Sequence, residues 1–110
     1  MLQIDASQSG QTVQIAVGEA VELRLAENRM TGFRWTVLRD GAPECRIADA
    51  GPERSGGPNK HARPGHGSTH VWRISGVQAG TCEVALAYAR PWERHSMPAA
   101  AFDVRFHVEG

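Results

Sequence analysis

The segment "HARPGHGSTH" sets His61, His66 and His70 within ten residues. Three histidines can hold zinc, with Cys82 adding a thiolate or a water completing the set. The segment speaks against that reading: it is rich in glycine and proline, and no Asp or Glu stands among the histidines. A Cys–His nucleophile pair is weaker again. Cys45 and Cys82 fall in apolar-alternating segments, not at a helix N-terminus that would stabilise a thiolate. The two cysteines read as buried thiols, with one bridge between strands as the alternative. No catalytic constellation is left, and neither an enzyme nor a cofactor is implied. The residue most out of place is Trp92, in the charged stretch "ARPWERHSMP" (89–98). Two readings are open for it: an exposed anchor for a partner's surface, since Trp is enriched at interface hot spots, or a cap on the end of the fold.

The elements that must position these residues are strands. "TVQIAV" (12–17) and "AVELRLA" (20–26) alternate apolar with polar residues, and Val21, Leu23 and Leu25 share one face. "FRWTVLR" (33–39), "CRIAD" (45–49), "THVWRIS" (69–75), "TCEVALAY" (81–88) and "AAFDVRFHV" (100–108) continue the pattern, with a further edge strand near "LQID" (2–5). Trp35 and Trp72, each on an apolar strand face, are expected in the core. Helical periodicity is missing. The expectation is one all-β domain over residues 1–110, an antiparallel β-sandwich of seven to eight strands.

Charge bounds the partners. Twelve Lys and Arg against twelve Asp and Glu leave no net charge in the 110 residues. Nothing argues for nucleic acid or an anionic membrane, and no stretch reaches the apolar length of a membrane span. A monomer is expected. "MLQIDASQSG" lacks the basic-then-apolar pattern of a leader. The expected compartment is therefore cytoplasmic on the sequence as given, and periplasmic or secreted if a signal peptide has been trimmed.

If successive strands alternate in direction, the connections alternate between the two ends of the sandwich. "DGAPE" and "GVQAG" are tight and share one end. The three longer, stranger connections share the other: residues 27–32, 50–68 and 89–98. Loops on a rigid scaffold are where binding resides, so all the unusual loop chemistry falls on one edge.

Those loops resemble a known family. "NRMTGFRW" (28–35), "GHGSTHVWRI" (65–74) and "YARPWER" (88–94) are similar to the three loop motifs of the chagasin family of cysteine-protease inhibitors. The family patterns are Asn-Pro-Thr-Thr-Gly-(Tyr/Phe)-x-Trp, Gly-x-Gly-Gly and Arg-Pro-Trp. Order, intervals and flanking strands correspond over nearly the whole chain. Asn28, Thr31, Gly32, Phe33 and Trp35 match the first motif, while Arg29 stands for its proline and Met30 for its first threonine. Gly65 and Gly67 match the second around His66, with Ser68 replacing the last glycine. Arg90, Pro91 and Trp92 match the third throughout.

The resemblance implies an immunoglobulin-like sandwich and reversible inhibition of papain-like cysteine proteases by a three-loop wedge. It would set Thr31 and its neighbours over the catalytic cysteine and histidine. The second loop would lie along the unprimed side, and Arg90 with Trp92 would grip the primed side. Two rival readings of the chain are a generic β-sandwich binding or adhesion module and a zinc-binding protein built on His61, His66 and His70.

Overall fold

Each alternating segment becomes a strand. In the computed structural model, which describes residues 2–27, 32–52, 68–90, 92 and 98–110, the strands are β1 (Leu2–Asp5), β2 (Thr12–Ala16), β3 (Ala20–Glu27), β4 (Arg34–Asp40), β5 (Cys45–Pro52), β6 (Ser68–Gly76), β7 (Gly80–Ala89) and β8 (Ala100–Glu109). The helical content of the described residues is one 3-10 turn, Ala6–Gln8. Asp5 caps it by accepting from the Ser7 N–H at 2.9 Å, and the Gln8 side chain accepts from the Asp5 N–H at 2.7 Å.

Two four-stranded sheets form, in the orders β1-β3-β6-β5 and β2-β8-β7-β4. The expected eight-stranded β-sandwich forms, with one correction: its two sheets are mixed and not antiparallel throughout. β1 runs parallel to β3, and β2 parallel to β8. Successive strands do alternate in direction, as expected, so the correction comes from pairing order. Pairs that join an odd-numbered to an even-numbered strand are antiparallel, namely β3–β6, β5–β6, β4–β7 and β7–β8. The chain puts β1 and β2 on edges of opposite sheets, where each meets a strand running its own way.

The inner faces supply the core. Val21, Leu23 and Leu25 of β3 and Trp72 and Ile74 of β6 face Val84 and Leu86 of β7 and Phe102, Val104, Phe106 and Val108 of β8. Burying each of the larger ones contributes about 1.5–3 kcal/mol. Trp72 is in the core as expected. Trp35 is only half-buried and packs against it, because β4 is an edge strand. Further along β4, Leu38 is 63% exposed. Between the β4 and β5 edges the sandwich opens into a cleft of about 710 Å³ lined by Trp35, Val37, Ile47 and Trp72.

One end of the sandwich is tied down by its own backbone. The Gly18 N–H donates to the Gly76 carbonyl at 2.9 Å, the Gly76 N–H to the Glu19 carbonyl at 3.0 Å, and the Val77 N–H to the Glu44 carbonyl at 2.8 Å. These bonds lock the tight turns together and leave the opposite end to carry the long connections.

Candidate functional site

The ladders show where the long connections leave the sheets. Glu27 pairs with Ser68, Pro52 with His70, Arg34 with Ala89, and Tyr88 with Ala100. Every stem of the three long connections therefore stands at one end, as strand alternation required. Asn28, Arg29, Met30, Thr31, Gly65, His66, Gly67 and Pro91 lie outside the described residues. Ser68 opens β6. Gly32, Phe33, Arg90 and Trp92 are described, and they come together.

An aromatic stack carries the sandwich core out to this end. The Trp35 and Tyr88 rings, register partners on β4 and β7, lie 4.9 Å apart. Phe33 stacks on Tyr88 at 5.3 Å, and the Arg90 guanidinium sits 4.5 Å above the Phe33 ring. Offset ring pairs and a cation over a ring face each add stability beyond their buried area. Trp35 also fastens the two sheets to each other. Its indole N–H donates to the Ala26 carbonyl at 2.9 Å, and its backbone N–H to a Glu27 carboxylate oxygen at 3.4 Å. Phe33 is half-buried in this stack, so its ring supports Arg90 from beneath.

Trp92 is 68% exposed. One edge of its ring rests on Gly32, whose φ of +82° lies in the left-handed region. A Cβ at Gly32 would run into Trp92 Cη2 and stand 3.2 Å from Cζ2. The missing side chain is what lets the ring lie there. Trp92 of the third loop is thus seated on Gly32 of the first, with most of the indole facing solvent.

A polar bridge that the sequence reading passed over joins the stems of the other two loops. His70 of β6 has Nδ1 3.2 Å from Glu27 Oε1 and Nε2 2.6 Å from Asp49 Oδ1. Its ring also stacks on Trp72 at 4.2 Å. Glu27 ends β3 and Asp49 lies late in β5, so one imidazole spans three strands below the loops. Glu27 is 3% exposed. Its parity was the available signal: Val21, Leu23, Leu25 and Glu27 share the inward face, and a carboxylate there has to find partners. Replacing Glu27 with alanine should leave the Trp35 N–H and the His70 ring short of an acceptor. The expected cost is about 1–3 kcal/mol, a fall in melting temperature of roughly 5–15 °C for a domain of this size. Thermal unfolding followed by circular dichroism measures it, and an unchanged midpoint would show the bridge to be idle.

The zinc reading fares differently at each of its residues. His61 and His66 lie outside the described residues. Both ring nitrogens of His70 already face carboxylates. Cys82 is buried against Cys45 near the tied-down end, whereas His70 pairs with Pro52 at the opposite end. Among the described residues, no group of three or more His, Cys, Asp and Glu could hold a metal ion.

A two-sheet sandwich that gathers three connections at one end, with an exposed tryptophan among them, defines a scaffold for binding through loops. The chain belongs to the chagasin family: the model for "Chagasin family peptidase inhibitor I42" matches residues 14–106. That family is made of protease inhibitors, not enzymes. The chain is 33% identical over 108 residues to chagasin of Trypanosoma cruzi, covering 92% of each chain. It is 31% identical over 81 residues to amoebiasin-1 of Entamoeba histolytica, covering 74% of each. Among solved structures, the cysteine protease inhibitor EhICP2 from Entamoeba histolytica superposes with a TM-score of 0.77 at 18% identity, over 98% of this chain and 95% of that one. PbICP-C, solved in complex with falcipain-2, superposes with a TM-score of 0.64 at 18% identity, over 99% and 98%. At those identities the superpositions speak for the fold.

Proposed function

We propose that this protein inhibits papain-like cysteine proteases reversibly by wedging its three loops into the active-site cleft. Such enzymes cut an extended strand laid through a narrow cleft. Loop tips on a rigid sandwich fill that space while holding no scissile bond for attack. In this reading Asn28, Arg29, Met30, Thr31 and Gly32 stand over the catalytic cysteine and histidine. Gly65, His66, Gly67 and Ser68 follow the unprimed side, and Arg90, Pro91 and Trp92 the primed side. An enzyme–inhibitor interface of standard size buries about 1,600 Å², within reach of three loops of these lengths.

The observation that carries the reading is the seating of Trp92 on Gly32. It leaves a large apolar ring exposed and already supported by the neighbouring loop. For this ring, binding then freezes little that is not already packed, and low ordering cost counts for more than area in tight complexes. The Arg90–Phe33–Tyr88–Trp35 stack extends the same rigidity to the third loop's stem.

The test is titration of papain with the purified chain against a small fluorogenic substrate. Full, reversible inhibition is expected, with the inhibitor recovered uncut. It should also bind papain whose catalytic cysteine has been alkylated, because the wedge needs no covalent bond. No inhibition at micromolar concentrations, or loss of inhibition through steady cleavage of the chain, would overturn the reading.

A further inference from the structure

Cys45 and Cys82 come from opposite sheets and meet in the core. Cys45 opens β5, opposite Gly76 of β6, and Cys82 lies near the start of β7, opposite Phe106 of β8. Both are buried, at 2% and 7% exposure. Their sulfurs are 2.7 Å apart, well inside the van der Waals contact of two sulfur atoms, with both present as thiols. The backbone of Gly41 closes over them: a Cβ there would stand 3.0 Å from Cys45 Cβ, 3.1 Å from Val84 Cγ2 and 3.3 Å from Cys82 Sγ. With a φ of +79° and no room for a side chain, Gly41 lets the β4–β5 turn press the two thiols together.

We propose that Cys45 and Cys82 are a cross-linking site, oxidised to a single disulfide that staples the two sheets at the end opposite the inhibitory loops. The oxidant is another disulfide, either a small molecule such as oxidised glutathione or an exchange-active protein. One cysteine thiolate attacks it, a mixed disulfide forms and the first thiol leaves. The second cysteine sulfur then displaces the other half. Two thiols of this chain lose two protons and two electrons, and the oxidant is reduced to two thiols.

The bond forms while the chain folds. Once folded, burial pushes the Cys45 thiol up to about 12, and it pushes Cys82 up as well, so the native thiols hardly ionise. The same burial then shields the finished bond from reductants. Residues 46–81, which include β6 and the whole second loop, become a closed ring whose formation restricts the unfolded chain. The inference is independent of the protease-inhibitor reading, since it stands on the core and not on the loops.

The experiment starts from the full chain, unfolded and refolded with a mixture of reduced and oxidised glutathione. It is then denatured in the presence of an alkylating reagent and weighed by mass spectrometry. The expected product carries no alkyl group and no glutathione, and takes up two alkyl groups after reduction. Thermal unfolding should fall by at least about 10 °C when the folded protein is unfolded and refolded under reductant. The double variant Cys45→Ala/Cys82→Ala should match the reduced protein and ignore reductant. Two alkylated thiols in the oxidised sample, a stable glutathione adduct, or a bond whose reduction leaves the midpoint unmoved would each overturn the proposal. If the double variant does not fold, the mass and midpoint of the unsubstituted chain still decide.

Discussion

Replacing Trp92 with alanine should weaken inhibition of papain about thirtyfold or more while leaving the melting temperature within about 4 °C of the parent. The two halves of that expectation have separate causes. In the free protein the ring is mostly solvated, and among the described residues it lies against Gly32. Truncating such a surface side chain changes stability by no more than about 0.5 kcal/mol, and for a domain of this length that moves the midpoint only a few degrees. In the complex the same ring would be buried, and truncating a buried tryptophan anchor typically costs about 2 kcal/mol or more. At about 1.4 kcal/mol per factor of ten, that is roughly thirtyfold in affinity. The loss should appear mainly as faster dissociation, because mutations within one interface alter association rates much less. The alternative, a cap on the sandwich, predicts a lowered midpoint with inhibition per folded molecule intact. Stopped-flow dissociation and calorimetry on this one variant separate the two.

The strands were legible because a period of two is a local property. Every alternating segment became a strand, with no end displaced by more than three residues. What the sequence concealed was lateral. Val37 and Leu38 look like core candidates by hydropathy, yet β4 lies at a sheet edge and leaves both exposed. Nothing within seven residues tells an edge strand from a central one. The parallel pairing of β1 with β3 and β2 with β8 was hidden for the same reason, since it depends on which sheet each strand joins. The loop edge was legible because it needs only strict alternation of direction, which holds even where pairing order is unknown.

The bridge at His70 was harder to see. The histidine stood out, but its partners come from two other strands, and a register shift between Asp49 and Gly51 lies beside the carboxylate of Asp49. Glu27 was the one partner that could have been found, as a charge on an otherwise apolar face. Cys45 and Cys82 were placed in strands by pattern alone. That their sulfurs meet depends on how the sheets stack, and composition carries no trace of that.

The other large effect expected is at Gly32. Gly32→Ala should lower affinity for papain tenfold or more and lower stability by only about 1 kcal/mol. The stability term is the cost of holding an L-residue in the left-handed region, roughly 1–2 kcal/mol per residue, partly offset by the smaller freedom of alanine in the unfolded chain. The affinity term is different in kind. The new Cβ would clash with Trp92 Cη2. The exposed ring can swing aside at little cost to the fold, but it then leaves the position from which it would enter the cleft. A double-mutant cycle isolates that displacement. In a Trp92→Ala background there is no ring to displace, so adding Gly32→Ala should weaken binding only a few-fold. If the glycine substitution costs the same with and without the tryptophan, the first and third loops act independently, and the ring's seat on Gly32 has no part in inhibition.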